Sequence, residues 1–503
     1  MNRDVYFDKM MGCWLGKNIG GTIGAPVEGN RNPAPLPLKF PDKNEPNDDL
    51  DLQLVWLDIL NRKGVDIDAR DFADGWLNHI VYPFDEYGIC VANLKRGLLP
   101  PQTGYYNNYF KDCMGSPIRS EIWGCLCPDD PAAAAWYALQ DAQLDHYDEG
   151  VYGEIFFAAA ESIAFGEDDI VKIIRQACEY LPPVSKVREA VLLTLERYQA
   201  GGSLAALREE LIRRYADANF SHAVINIAFT IAGMLYAEMD FLKSMVMAVE
   251  LGFDTDCTGA TSGAIVGIIR GFKAIQKQYQ LKFDEKVMVG WGAQDIQAPA
   301  TITEMTEQIL KLNDQFQKMT KKPALPKAYE LPAPQLPAPA QRYSARVLID
   351  GRSDQENEVL ARVVAGKLET FATVELDREI INLELYRKWN DAYVLTEVRL
   401  PEPGKYRILA MSAAPVKMWL NGIPAGERGA TDFAPSPHRC AEFPARTFTE
   451  TRIQVLVKVS CAGSYPARLA IIVANEKNQR VVDAALTWDE KSAGGGFNPL
   501  AIQ

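Results

Sequence analysis

The sequence predicts a multidomain protein, with a large all-α bundle followed by a smaller all-β sandwich. Three observations carry this fold class. Up to about Lys321, apolar residues recur at helical spacing. A proline-rich stretch follows. Beyond it, the apolar period drops to two, the repeat of a strand with one buried face.

The expected division is 1–320 for an all-α catalytic domain, 321–342 for a linker, 343–490 for the sandwich and 491–503 for a loosely ordered tail. In the first part, "AAAAWYALQDAQL", "EIFFAAAESIAF" and "AVINIAFTIAGMLYAEM" are rich in good helix formers with helical periodicity. The linker carries prolines at 323, 326, 332, 334, 337 and 339, which exclude a helix and predict an extended, semi-rigid connector. In the third part, "RIQVLVKVS" puts Ile453, Val455, Val457 and Val459 on one face, and Asn421-Gly422 is a hairpin turn signal. "VKMWLNG" resembles strands of galactose-binding-like and jelly-roll modules attached to carbohydrate-active enzymes. Such a module would bind carbohydrate or mediate self-association; a purely structural module fits the same residues.

Whole-chain numbers narrow the function classes. The 503 residues suit two or three domains, and 48% hydrophobic content allows a large core. Lys plus Arg number 53 and Asp plus Glu 66, so the net charge is −13 and no basic block offers itself to nucleic acid phosphates. The start "MNRDVYFDKM" has no apolar signal core and no run of eighteen apolar residues exists. A cytoplasmic protein without membrane contact is therefore expected, a removed leader aside. Nine scattered cysteines do not make a disulfide framework and read as small buried hydrophobes. Four histidines make a His-built zinc site a poor expectation.

"NDDLDLQLVWL" (47–57) places Asp48, Asp49 and Asp51 at the start of an apolar helix. Asn and Asp cap helices and suit the positive end of the dipole, so one acid there needs no further cause. Three repel one another unless a cation sits among them. Downstream, "LGFDTDCTGATSGAIVGIIRG" (251–271) places Asp254 and Asp256 at the start of a second small-residue helix. Two carboxylate clusters facing each other across a cleft would suit Mg²⁺, Mn²⁺ or Ca²⁺.

Glycines recur every fourth residue in two places, at Gly12, Gly16, Gly20 and Gly24 and at Gly259, Gly263, Gly267 and Gly271. Each costs an isolated helix about 1 kcal/mol against Ala, so the stripe needs a use. Close contact between these two helices, or with a shared neighbour, is that use. It would bring Glu28 near Asp254 and Asp256. Close packing alone is the competing reading.

With these motifs in hand, residues 5 to 320 resemble the ADP-ribosylglycohydrolases, a family that includes a crystallin relative. "GTIGAPVEG" resembles the family's glycine motif ending in a metal-site glutamate, here Glu28. "NDDL" is similar to its Thr-Asp-Asp-Thr motif at Asn47, Asp48, Asp49 and Leu50, and "DTDCTGATSGAIVG" to its Asp-x-Asp-Thr motif at Asp254, Asp256 and Cys257. "MGSPIRS" resembles a segment beside the substrate, bringing in Gly115, Ser116 and Arg119. "LDHYDEGVYGEIFFAAA" resembles a helix start carrying a substrate-side histidine, here His146. The resemblance implies an all-α bundle with a two-ion centre, Mg²⁺ with Mn²⁺ as an alternative, held by Glu28, Asn47, Asp48, Asp49, Asp254, Asp256 and Cys257. The chain departs from the pattern at Gly21 (often Asp), Asn47 and Leu50 (Thr), and Cys257 (Thr or Ser). Sulfur suits hard cations poorly, so one of the two ion positions is expected to be weakened, or filled through a neighbour such as Thr258.

Among other candidates, Arg119 suits an anionic substrate group or a buried ion pair with Glu121 or Asp112. His222 and Asn226 lie one helical turn apart, to line the cleft or to serve the core. The resulting expectation is a metal-dependent hydrolase of a ribosyl N- or O-glycosidic bond, with Glu28 or Asp49 as general base. ADP-ribose, free or linked to protein, is the foremost substrate. Another furanoside or nucleoside-type glycoside is the alternative, and a non-catalytic binding or structural protein on the same fold is the third reading.

Overall fold

The computed structural model describes residues 1–280, 283–334, 343–350, 356–376, 380–383, 390–431, 440–461, 467–487 and 502. They form two compact units, one of Met1–Tyr82 with Leu99–Pro334, the other of Pro83–Leu98 with Gln335–Gln503. The helix Asp85–Lys95 thus belongs with the second unit although its sequence interrupts the first.

The first unit is helical. Its centre is the pair α1 (Arg3–Gly24) and the helix Thr255–Arg270, and the expected contact between the glycine stripes is present. A Cβ on Gly16 would lie 2.0 Å from Gly263 O, and one on Gly20 would lie 2.1 Å from Gly259 O. Side chains cannot exist at such separations, so only glycine permits the two backbones to touch. The pairing is antiparallel, Gly12 meeting Gly267 and Gly24 meeting Thr255. The C-terminal end of α1 is thereby fixed beside the N-terminal end of its partner, where Asp254 and Asp256 stand.

The helix α2 (Asp48–Lys63) buries Leu52, Leu54, Val55, Trp56 and Leu57, as the apolar spacing predicts. Part of the proline-rich stretch is strapped to the first unit by its main chain. Leu325 N donates to Ala132 O, Ala328 N to Glu179 O and Tyr329 N to Tyr180 O, and the Tyr147 hydroxyl donates to Pro332 O. The rest of the expected linker, 335–342, lies outside the described residues, as does the expected tail 491–503 apart from Ile502.

The second unit contains strands β1 (Tyr343–Asp350), β2 (Ala372–Leu376), β3 (Ile380–Asn382), β4 (Asp391–Arg399), β5 (Gly404–Met411), β6 (Val416–Leu420), β7 (Ile423–Arg428), β8 (Arg446–Phe448), β9 (Arg452–Ser460), β10 (Arg468–Ala474) and β11 (Ala485–Thr487). Among the described residues, one sheet has the order β2-β1-β4-β9-β6-β7 with β11 also on β4, and the other β3-β10-β5-β8. The paired strands are antiparallel. Ile453, Val455, Val457 and Val459 share one core with Ile408, Leu469 and Ile471, which is the expected period-two face. Asn421 (φ 49°) and Gly422 (φ 80°) turn β6 into β7 with the two positive φ angles that a tight hairpin needs.

The sheet differs from a simple sandwich on its other face. Tyr393, Leu395, Trp419 and Leu456 are covered there by Val359 and Val363 of a helix, Glu356–Val364. No helix among the described residues is long and apolar enough to cross a membrane.

Candidate metal centre

The site is built where the glycine-packed pair ends. After α1 the chain makes a short turn to Glu28, and two backbone hydrogen bonds tie it to the segment before Asp254: Gly29 N to Phe253 O and Phe253 N to Asn30 O, both 2.9 Å. Phe253 takes φ 71°, a left-handed conformation that a bulky residue adopts only when its surroundings impose it. Arg31 lies over its ring at 4.8 Å. Thr255 Oγ1 closes the junction by donating to Gly24 O at 2.8 Å.

Two acidic groups result. Ligand atoms of Glu28, Asp254 and Asp256 lie within 4.8 Å of one another, and so do those of Asp49, Asp256 and Cys257. Asp256 belongs to both. Asp254 stands at the N-cap position but makes no capping hydrogen bond with its side chain. At α2 the cap is supplied by Asn47, whose Oδ1 accepts from Asp49 N at 2.8 Å. Asp51 points elsewhere, accepting from Gly290 N at 2.8 Å, and anchors the loop that carries exposed Trp291.

The electrostatics are those of crowded carboxylates. Burial, then the charges of Asp256 and Glu28, hold the Asp254 carboxyl well above the usual carboxylate range. Burial, then Glu28 and Asp48, push Asp256 up to about 7. Asp49 is pushed up to about 7 by burial and by Asp256, against the lowering charge of Lys17. Asp48 is exposed as a residue, yet burial of its carboxyl and the Asp49 charge push it up to about 6. Asp49 Oδ2 and Asp256 Oδ1 are buried and have no hydrogen-bond partner. Hard oxygen donors held close, mutually repelling and unsatisfied fit a divalent cation. The Cys257 thiol fits less well. It donates to Asp49 Oδ1 at 3.4 Å, and burial with its acidic neighbours raises its pKa well above the ordinary value.

The family model described as ADP-ribosylglycohydrolase matches residues 2–318. The chain belongs to the ADP-ribosylglycohydrolase family. A solved structure titled an ADP-ribosylglycohydrolase-related protein complex is 21% identical, covering 62% of this chain and 99% of its own, with a TM-score of 0.39. The PA14 domain of the MpAFP antifreeze protein is 10% identical, covering 31% and 96%, at 0.21. An alpha-xylosidase from Xanthomonas citri is 15% identical, covering 30% and 17%, at 0.17. Comparison with curated proteins gives no match.

The other expected site residues of this glycohydrolase-family chain are placed as follows. Arg119 is fully buried and paired with Asp141 at 3.0 Å and Asp145 at 2.6 Å, rather than with Glu121 or Asp112. His146 is fully buried, its Nδ1 3.0 Å from Asp145 Oδ1. Gly115 O accepts from Arg119, and Ser116 Oγ donates to Gly150 O. Arg119 ties these together, through Asp145 to His146 and through hydrogen bonds to Gly115 O and, from its backbone N at 3.2 Å, to Ser116 O. His222 is half-buried. Asn226 is buried, and its Oδ1 accepts from Asp254 N at 3.1 Å, so it positions a carboxylate of the centre from behind.

Sequence reasoning missed Lys17. It is buried beneath the centre, with Nζ 2.8 Å from Glu121 Oε1, 2.6 Å from Ile118 O and 3.5 Å from Asp49 Oδ2. Burial opposes its charge, but Glu121 and Asp49 outweigh that and hold its pKa above the ordinary value. Gln53 completes the support, donating to Glu121 Oε2 and to Asp49 O, both at 2.9 Å. The only sequence signal was a lysine inside a glycine-rich helix.

Proposed function

We propose that the first unit is a metal-dependent hydrolase of a ribosyl N- or O-glycosidic bond, most directly the bond between ADP-ribose and its acceptor. Family membership supports a glycohydrolase role. The observation that carries the finer reading is Asp256, a buried carboxylate shared by two acidic groups with one oxygen unsatisfied. Glu28, Asp254 and Asp256 would hold a hard cation, Mg²⁺ or Mn²⁺. Such a cation supplies Lewis acidity at a ribose hydroxyl and lowers the pKa of a water beside it.

The chain's own groups do the rest. Asp49, pushed up to about 7, has an affinity for protons suited to a general base at neutral pH. Glu28, exposed at the rim, is the second candidate for that role. Carboxylates around the centre would stabilise the positive charge that develops on the sugar as its anomeric bond breaks. Asn226 and the Gly29–Phe253 tie keep the two sides in register.

One observation favours the alternative substrate class. Arg119, a candidate partner for an anionic substrate group, is committed to Asp141 and Asp145 in the interior. An uncharged furanoside or nucleoside-type glycoside would not need it. Comparing turnover of ADP-ribosyl-arginine and ADP-ribosyl-serine with that of aryl furanosides decides between the two. Preference for the diphosphate-bearing substrates supports ADP-ribose, and preference for the aryl furanosides rejects it.

A further inference from the structure

The two positions of the proposed centre are chemically unlike. We propose that only the Glu28–Asp254–Asp256 position takes a divalent cation, and that Lys17 and Cys257 stand in for an ion at the Asp49–Asp256–Cys257 position. The inference rests on the metal-dependent reading above and assigns Lys17 as a positioning residue for Asp49.

The geometry of Asp49 carries the argument. Its Oδ1 already accepts from the Cys257 thiol at 3.4 Å. Its Oδ2 faces the Lys17 ammonium at 3.5 Å and has no hydrogen bond. An ammonium has three donors. Two of those on Lys17 go to Ile118 O and Glu121 Oε1, which aims the third side of the group at Asp49. Both residues of the pair are about 1% exposed in their side chains, so water does not dilute the interaction. Any ion bonded to Asp49 would share that carboxylate with a buried positive charge, and the two would repel.

The second group is different. The charges that bear on Asp254 and Asp256 are carboxylates, and Asp256 Oδ1 is buried without a partner. Negative charge there is compensated by an ion from solution. Beside Asp49 the place of an ion is already taken by a lysine built into α1, which Asp49 shares with Glu121. The thiol agrees with this division, because a hydrogen bond to a carboxylate suits Cys257 better than ligation of a hard cation.

The test counts ions on the full chain after EDTA treatment. Mn²⁺ is titrated by calorimetry, and the bound state is read by electron paramagnetic resonance. One Mn²⁺ per chain with the six-line spectrum of an isolated ion is expected. A triple variant, Lys17→Met with Glu121→Gln and Cys257→Thr, removes the ammonium together with its partner charge, so no lone buried charge remains from the pair. It is expected to gain a second ion and a spectrum broadened by coupling. A parent that binds two ions overturns the inference and leaves the metal-dependent reading intact. A parent that binds none overturns both. A folded triple variant that still binds one ion overturns the assignment of Lys17. If that variant does not fold, the parent's count decides alone.

Discussion

A Cβ on Gly21 would lie 1.8 Å from Asn47 Nδ2, so the two residues share one space. Gly21 and Asn47 are two of the positions at which the sequence departs from the motifs it resembles. In the folded chain these departures are a single fit between α1 and the start of α2. The same Asn47 side chain caps Asp49 N, so the fit also sets the helix that presents Asp48 and Asp49.

Coupling between the two positions follows. Gly21→Ala alone is expected to destabilise by about 1–3 kcal/mol, because the methyl group displaces Asn47. Asn47→Thr, which shortens that side chain, is expected to recover part of the loss. A double-mutant cycle by urea denaturation should give a coupling energy of at least about 1 kcal/mol. Additive effects would mean that the two substitutions are independent.

The helix pair predicts a second stability effect. Gly16→Ala places a carbon 2.0 Å from Gly263 O, and both partners are backbone. The helices must separate, at a cost of about 3 kcal/mol or more. Because the pair sets Glu28 beside Asp254, metal affinity should fall with stability. Denaturant melts with and without Mg²⁺ read both.

Much of this was legible from residue order. A glycine every fourth residue stays on one helix face, so contact of residues 12–24 with 259–271, or of both with a shared neighbour, could be read, and the approach of Glu28 to Asp254 came with it. The strand face Ile453–Val459 was legible for the same reason, with a period of two. What escaped depends on contacts across the sequence. Lys17 reads as a surface lysine until Glu121 and Asp49 meet it. Arg119 could not be assigned to Asp141 and Asp145 by spacing. For Asn226 the cleft and the core stayed open, because its backbone partner, Asp254 N, is invisible to a side-chain pattern. The helix Glu356–Val364 hid the second buried face of the sheet, since Leu456 and Trp419 carry no period that says what covers them.

Asp256→Asn separates a metal role from a capping role. Removing one of several crowded carboxylates relieves repulsion in the ion-free protein, so its melting temperature should be equal or higher. The rise given to the parent by millimolar Mg²⁺ or Mn²⁺ should vanish, because Asp256 belongs to both acidic groups. A mere helix-start residue predicts a loss of about 1 kcal/mol and no response of either protein to metal.

The pH dependence has a definite sign. In the ion-free protein Asp49 and Asp256 titrate at about 7 and Asp48 at about 6. In the unfolded chain aspartate titrates near about 3.9. The native state therefore holds protons that the unfolded state has lost, and these groups reduce stability as pH rises from about 4 to about 7, then level off. A cation favours the ionised forms. Its stabilising effect should be larger at pH 8 than at pH 5.5, with affinity falling by about tenfold per pH unit below 7 for each proton displaced. Melting curves across pH, with and without Mn²⁺, check both slopes.

Under the proposed function, hydrolysis at this site needs a cation that Asp254 and Asp256 would hold. The most direct measurement is turnover of ADP-ribosyl-arginine, ADP-ribosyl-serine and aryl furanosides by the EDTA-stripped full chain, before and after Mg²⁺ or Mn²⁺ is restored. A metal requirement predicts no turnover in the stripped protein, recovery on adding the ion, and no recovery in Asp256→Asn. Turnover that survives complete removal of metal would contradict it.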